Sequence, residues 1–594
     1  NAGDQSDVHL QAQLSTVIND DPIQSIRFLT SFLNGCACGE ALQAKKSEPG
    51  TNDTFIHLAN LLTLDQSILA VTGNIAPDEA VVGIFTSSTS GREVIQKCTN
   101  AQGFNSTDLQ PRPWESIDFE QPPMTIPSLK QHAQDLLSIF RYHKELELTA
   151  DKLAHWIVFR CYPKIQQHLL VGFAKRSWST DPVMVMMDWR PNNEDRKLFH
   201  EYVSDPKGQT NTTVTIISPM ASTVESSGLS PDSSGTAFTF DIETARTWLG
   251  LISKSIITLR RLLNVVTDIT AGQLNQTPDV KTLSRVDDML RFTLALLRLP
   301  TLEWLFKCTS LARRFTTKRS PAFQDATAGS QDTDGDSKRA EDTFVDDDEQ
   351  VPSNDENNGE RVYRVIRTLV SWHTAVNYIV PRLNHLKNVN ATLVTLLDHY
   401  KVQITDISNL KERIKATIEA VFDEGSGDKE HAEAAKKWFD DQAQRHSYFV
   451  GHVHAEAGIM ALANYMRNPR VDVDVNDSLR NIFRYENSRR ALPIGVSKKS
   501  CWACWQLGQK LFKKDKITVQ LPGTHGTIFQ WNPPAFGIPE SVLKELADAL
   551  KEEVVRRTVV QVGLQKSGSA QSSPQSIEDD PRNLPTRDTI RFIL

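Results

Sequence analysis

The sequence predicts an α/β protein in which a mainly α-helical region precedes a C-terminal α/β domain. Three observations carry this. Apolar residues recur at helical spacing through 128–175 and again through 242–314. The composition then breaks: residues 320–360 hold thirteen Asp or Glu against two Lys or Arg, Lys338 and Arg339. Such a segment buries too little apolar surface to fold and reads as a disordered acidic linker. Beyond it, short strand-like runs alternate with helices, the pattern of a sheet covered by helices.

Composition bounds the function. A chain of 594 residues that is 39% hydrophobic and 23% charged is not wholly disordered, and it has room for several cores. Seven scattered cysteines are too few for a disulfide framework and suit a reducing compartment. No run approaches the ~18 apolar residues of a membrane span, since Thr293 to Phe306 is broken by Arg298, Pro300 and Glu303. The first ten residues carry neither a basic nor an apolar run. They are not read as a signal peptide, and an intracellular, cytoplasmic or nuclear location with no membrane partner is expected. The Asn-x-Ser/Thr triplets at Asn105 and Asn390 are read as chance. The net charge of −7 argues at first against a nucleic-acid partner. The acidity belongs to the linker, however, and the rest of the chain is net positive.

In order, residues 1–125 form a mixed region with short amphipathic stretches such as Ile23 to Leu33. A mainly helical domain spans 126–317, carried by Leu136, Leu137 and Phe140, by Leu153, Ile157, Val158 and Cys161, and by Leu249, Ile252, Ile256 and Leu259. Within it, Val183 to Trp189 reads as a strand and the Ser/Thr/Gly/Pro-rich stretch 204–236 as a long loop. The linker, 318–360, contains Asp332 to Asp336. That run fails as a calcium loop, with Gly335 at position 4 and Thr343 at position 12 where Gly at 6 and Glu at 12 are needed. A helical segment follows at 361–439, with Val362 to Val421 read as helical throughout. Residues 440–560 then give a strand at Ser447 to Val453, an apolar helix from Ala455 to Met466, and a strand at Ala491 to Val496. A helix at Cys501 to Phe512, an interrupted strand at Ile517 to Gln530 and a helix at Pro539 to Val559 complete the domain. Residues 561–594 are a flexible tail.

The strongest local signal is Cys501-Trp-Ala-Cys504. A Cys-x-x-Cys opening a helix places both thiols on one face, and the helix N-terminus favours the thiolate that binds metals. A redox dithiol and a pair of buried cysteines are the other readings. There is no second Cys-x-x-Cys, so a zinc site here needs another ligand or keeps an open position. His-x-Glu occurs at His143–Glu145, His431–Glu433 and His454–Glu456. The second lies in a polar helix with no strand before it. His454 follows a strand-like run, opens an apolar helix and precedes Cys501 by 47 residues. His452, on the strand, is a weaker candidate ligand, and Cys36-Ala-Cys38, with no nearby His, is not read as metal-binding.

The order strand, His-Ala-Glu helix, strand, Cys-x-x-Cys helix, strand resembles the nucleic acid/nucleotide (cytidine) deaminase superfamily. The segments RHSYFVGHVHAEAGIMALANY, SKKSCWACWQLGQK and VQLPGTHGTIFQW are most similar to the deaminase-like family prototyped in Orientia and widespread in fungi. The resemblance covers about 440–560. It implies a three-layer α/β/α deaminase-like domain in which His454, Cys501 and Cys504 hold Zn²⁺, which activates a water. Glu456 is implied to pass that water's proton to the ring nitrogen and the departing ammonia, turning an amino base into a keto base. Two departures stand out. Ser500 replaces the usual Pro, and the first strand of the hairpin before the His-Ala-Glu helix is not obvious.

Nearby residues complete the expectation. Lys498 and Lys499 belong to a stretch, 481–516, with nine Lys or Arg and two acids. Such a surface suits a nucleotide or single-stranded nucleic acid, although a solvated face has the same composition. His525, between Gly523 and Gly526, and Trp502, beside Cys501, are candidates for contact with the base; a turn role for His525 and a core role for Trp502 are the alternatives. The expected function is a zinc-dependent nucleobase deaminase. The competing one is an idle zinc-binding scaffold module of the same fold.

Overall fold

The computed structural model describes residues 21–38, 51–64, 69–76, 79–87, 103–173, 177–204, 212–216, 220–231, 237–265, 278–317, 356–386, 388–397, 401–405, 407–425, 429–467, 477–483 and 491–569. The acidic segment 318–355, the tail 570–594, Cys98, Arg484, Arg489 and Arg490 lie outside the described residues.

Strand-forming, β-branched-rich runs from distant parts of the chain assemble one mixed sheet. Its strands are β1 (Leu69–Ile75), β2 (Ala80–Ser87), β3 (Phe104–Leu109), β4 (Val389–Leu396) and β5 (Gly495–Val496). The spatial order is β5-β1-β2-β4-β3. β2 and β4 are parallel, with Ala80 opposite Val389, and the other neighbours are antiparallel. Just before β5, Ala491–Pro493 pairs in parallel with Thr518–Gln520 and adds a strand beside this edge.

Alternation decides which side chains face which core. Leu69, Val71, Val82 and Ile84 point to one face, where they join the larger core with Phe55 and Leu136. That core contains helices α1 (Thr51–Leu62), α2 (Leu129–Arg141), α3 (Ala150–Gly172) and α4 (Asn358–Leu369). Ala70, Phe85, Val394 and Leu396 point to the other face. There they meet α5 (Ala455–Met466), α6 (Trp502–Leu511) and α7 (Glu540–Ser569). The sheet is thus covered by helices on both faces.

Two glycines make close approaches that a Cβ would block. A Cβ on Gly495 would lie 2.0 Å from the Phe55 carbonyl carbon, so β5 reaches β1 only as glycine under α1. A Cβ on Gly458 would lie 2.4 Å from Leu396 Cδ1, so the Leu396 side chain packs directly against α5.

Three sequence expectations are corrected. Val183 to Trp189 is not a strand. Pro182–Asp188 is a helix, started by the Asp181 carboxylate accepting from Val183 N at 3.0 Å with Pro182 in the first turn. A continuous apolar run has no period, and the Asp-Pro start signal decides it. The loop expected at 204–236 holds a strand, Thr213–Thr215, paired with Ala237–Thr239, and a short helix, Met220–Glu225. The segment Val362 to Val421 is not helical throughout. It contains β4, which is flanked on both sides in the sheet, and Lys401–Gln403, which pairs antiparallel with Tyr448–Val450. The helices expected at Ala455 to Met466 and Cys501 to Phe512 are present as α5 and α6, and no helix among the described residues is long and apolar enough to cross a membrane.

Candidate metal centre

Two helix starts converge at the edge of the sheet. His454 is the N-cap of α5 and Cys501 the N-cap of α6. The backbone closes each first turn, Gly458 N to His454 O at 3.0 Å and Trp505 N to Cys501 O at 3.0 Å. Cys504, one turn on, donates its N–H to Cys501 Sγ at 3.4 Å. Each cap residue keeps extended dihedrals, so its side chain projects beyond the helix end rather than along its flank.

The result is a buried group of four: His454, Glu456, Cys501 and Cys504, with donor atoms all within 4.8 Å of one another. His454 Nδ1 is 3.3 Å from Cys501 Sγ and 3.5 Å from Cys504 Sγ. Glu456 Oε1 lies 4.0 Å from the same Nδ1. Their exposures are 9% for His454, 5% for Glu456, 3% for Cys501 and 0% for Cys504. A tetrahedral Zn²⁺, with bonds of about 2.3 Å to sulfur and about 2.0 Å to nitrogen, separates those ligand atoms by roughly 3.5 Å. The observed N–S spacings fit that ion, and one imidazole with two thiols is a borderline-soft donor set that suits it.

The electrostatics agree with the donor chemistry. Burial works against a charged Cys501, but hydrogen bonds from Cys504 and the charge of His454 hold its thiol well below the usual thiol range. Burial and the neighbouring Cys501 push the Cys504 thiol up. Burial pushes the Glu456 carboxyl above the usual carboxylate range. A cation among these groups would favour both thiolates.

The other sequence candidates fall around this group. Backbone bonds tie the segment Gly523 to His525 to Ser500: Ser500 N to Gly523 O at 2.9 Å and His525 N to Ser500 O at 3.3 Å. His525 therefore stands close enough to feel the charges of Cys501 and His454, and burial lowers its pKa to about 4. Its Nδ1 accepts from Thr527 N at 3.1 Å, so a neutral ring carries its proton on Nε2. Trp502 is buried in the second core. Lys498 and Lys499 are half-buried in the loop between β5 and Cys501. His452 is outside the group of four and bridges Trp531 through its backbone. His431 and Glu433 lie on Lys429–Ala443, where Glu433 pairs with Lys436. Cys36 and Cys38 are likewise not in the group, on the stretch that pairs Cys36–Ala37 with Thr527–Ile528.

Sequence reasoning missed the basic residues that the helical region brings here. Lys164 of α3 is buried and its charge reaches Lys498. Arg364 of α4 acts on His525. A signal was present: Lys164 and His168 fall beside Cys161 and Ile165 on the apolar register of α3, where polar groups are costly unless an interaction compensates them. The chain matches no family model, no curated protein and no solved structure.

Proposed function

We propose that the chain is a zinc-dependent hydrolytic deaminase that converts an amino base to a keto base in a nucleotide or nucleic acid. One observation carries the reading: His454 Nδ1 stands 3.3 and 3.5 Å from two cysteine sulfurs, with a buried fourth group, Glu456, 4.0 Å away. Three ligands and a carboxyl that is not needed as a ligand are the parts of an open, hydrolytic site. The base as substrate rests on the resemblance of the His-Ala-Glu and Cys-x-x-Cys segments.

The residues divide the work. His454, Cys501 and Cys504 would hold Zn²⁺, whose Lewis acidity lowers the pKa of water at the site. Glu456 takes a proton from the attacking water and gives it to the ring nitrogen, then takes the remaining proton from the newly added hydroxyl and gives it to the leaving amine, leaving the keto group. Water adds to the amino-bearing carbon, the C–N bond breaks, and ammonia leaves. The burial that raises the Glu456 carboxyl suits a group that must both accept and return a proton.

A second reading has one observation in its favour. Glu456 is near enough to the other three donors to close the site as a fourth ligand, which would make the zinc structural. Glu456→Gln separates the two. The first reading expects about one zinc per chain to remain by mass spectrometry, and ammonia release to fall about a thousandfold. Zinc lost with Glu456→Gln supports the closed site. The assay is an ammonia-release screen over cytosine- and adenine-bearing bases, nucleosides, nucleotides, single-stranded RNA and single-stranded DNA. Release from none of them, or release that survives Glu456→Gln, overturns the deaminase.

A further inference from the structure

Backbone N–H groups that no helix satisfies must find partners in whatever lies beside them. For the stretch 523–532, which carries His525, those partners lie in two places. One is the pair of arms that bear the candidate ligands. His525 N donates to Ser500 O at 3.3 Å, next to Cys501, and Asn532 N donates to His452 O at 3.0 Å, two residues before His454. Thr524 Oγ1 adds a bond to Ser500 O at 2.9 Å. A Cβ on Gly451 would lie 3.1 Å from Gln530 Cβ, so the stretch also lies directly against the arm that leads to His454.

The other place is the segment 21–38, from the far end of the chain. Trp531 N donates to Thr30 Oγ1 at 3.3 Å and Gln530 N to Asn34 Oδ1 at 3.3 Å. Arg27 Nε donates to Asn532 Oδ1 at 3.0 Å. Gly35 N donates to Ile528 O at 2.9 Å and Cys38 N to Gly526 O at 2.7 Å, and between them Cys36–Ala37 pairs antiparallel with Thr527–Ile528. This segment is itself fixed. The Asp21 carboxylate starts the helix Pro22–Phe32 by accepting from Ile23 N at 2.9 Å, and Ile26, Phe28, Leu29 and Leu33 are buried in the second core. Arg27 also holds its guanidinium 6.0 Å from the ring centre of Phe449, on the strand that leads to His452.

Ser500 and His452 are thus held by one stretch, and the segment 21–38 bonds that stretch from Gly526 to Asn532. The placing of Cys501 against His454 runs through those bonds. Outer partners that orient metal ligands typically change metal affinity by about ten- to hundredfold when removed, without touching the metal. We propose that the segment 21–38 is a positioning element for His454, Cys501 and Cys504, with Arg27, Thr30 and Asn34 as positioning residues that act through Gln530, Trp531 and Asn532. This rests on the zinc-binding part of the proposed function and not on the reaction.

The test uses the full chain and two readouts of the group itself. One is the zinc dissociation constant from chelator competition; the other is the visible spectrum of the cobalt-loaded protein, which reports ligand geometry. Thr30→Val keeps the shape of the side chain and removes the oxygen to which Trp531 N donates, and Thr30→Ser returns that oxygen. The expected result in Thr30→Val is zinc binding weaker by about tenfold or more and an altered cobalt spectrum, with Thr30→Ser within about threefold of the unaltered chain and its spectrum restored. Asp287→Asn, in the other core, controls for lost stability and should change neither readout. Zinc affinity within about threefold and an unchanged cobalt spectrum in Thr30→Val overturn the proposal, whatever its urea midpoint. So does an equal loss in Thr30→Ser or in Asp287→Asn. If Thr30→Val does not fold, Asn34→Ala decides: Asn34 is exposed, and losing its bond to Gln530 N should weaken zinc binding about threefold or more, a smaller change overturning the proposal. An unaltered chain that takes up neither zinc nor cobalt removes the zinc-binding reading and the proposal together. Zinc uptake that depends on Thr30, with no ammonia released from any substrate, leaves the positioning element standing and overturns the deaminase alone.

Discussion

Two buried polar clusters sit in the two cores of this molecule, and they are built differently. In the larger core, Asp287 accepts from Arg291 Nη2 at 2.7 Å, His373 Nε2 at 2.8 Å and His155 Nδ1 at 3.3 Å. Burial works against its charge, yet these three donors hold its carboxyl well below the ordinary carboxylate range. In the smaller core, one imidazole faces two thiols and a carboxyl at 3.3 to 4.0 Å. The first cluster matches one anion to donors already present, so it is complete as protein. The second gathers four groups that act as acceptors or thiolates around a common centre, a donor set that could hold a cation. The difference lies in the donor set, since both clusters are buried. Burial alone does not separate a structural polar network from a functional one.

The largest expected effect breaks that symmetry outright. Cys501→Ser should take zinc from about one per chain to near zero and abolish ammonia release, because two remaining ligands make a poor site. Asp287→Asn should leave zinc at about one per chain. Metal analysis of both purified variants checks this, and zinc loss in Asp287→Asn would show that the two clusters are one coupled system.

Stability should respond in the opposite sense. Asp287→Ala leaves His155, His373 and Arg291 facing a buried gap, and breaking a buried charge network typically costs about 3–5 kcal/mol. The contribution of Asp287 is present above its unfolded pKa of about 3.9 and is lost as pH falls through its lower folded value. Urea unfolding at neutral pH, followed through the helical region, measures the cost. A change below about 1 kcal/mol would place Asp287 with ordinary surface ion pairs.

A third variant joins the two regions. In Gly495→Ala the new methyl meets Phe55 backbone atoms at 2.0 to 2.2 Å, which cannot rotate away as a side chain would. The expected cost is about 3 kcal/mol, the upper end for overpacking. Because β5 leads directly into Lys498 and Cys501, zinc affinity should fall as well. Destabilisation with unchanged zinc affinity would mean that the metal-bearing loop is held by the Ser500–Thr524 bridge and not by the sheet.

The cluster of His454, Glu456, Cys501 and Cys504 was legible because its information is local. His454 and Cys501 each open a helix whose limits follow from a few neighbouring residues, and the spacing of Cys501 and Cys504 fixes their shared face. The sheet beneath them was not legible. The pairing of 69–75 with 80–87 is a local hairpin, but these strands find 495–496 and 389–396 across hundreds of residues, and nothing inside any strand names those distant partners. β4 was also hidden by its own burial: in VNATLVTL seven of eight residues are buried or partly buried, and such a run lacks the clean alternation that marks a strand. Lys164 escaped for a related reason. On α3 it reads as one charge among many until the fold places it inside.

The smallest expected effect tests whether the larger core depends on neutral histidine. His132 stacks on Trp156 with ring centroids 5.2 Å apart and bonds Leu61 O through Nε2 at 2.9 Å. Burial foremost, with Arg160 also opposing a second positive charge, lowers its pKa to about 3. Unfolded, the ring titrates near 6.5. Between those values the unfolded chain binds the extra proton, so stability rises with pH there. The full contribution is present above about pH 6.5 and is lost as pH falls toward 3; at pH 5 the loss is about 2 kcal/mol. Urea midpoints at pH 7.5 and 5.0, on chelated protein so that zinc release does not intrude, should show this drop in the unaltered chain and a smaller one in His132→Phe. Equal drops in both would assign the acid sensitivity of this core to other groups, and would leave the neutral imidazole as packing that any ring of similar size can supply.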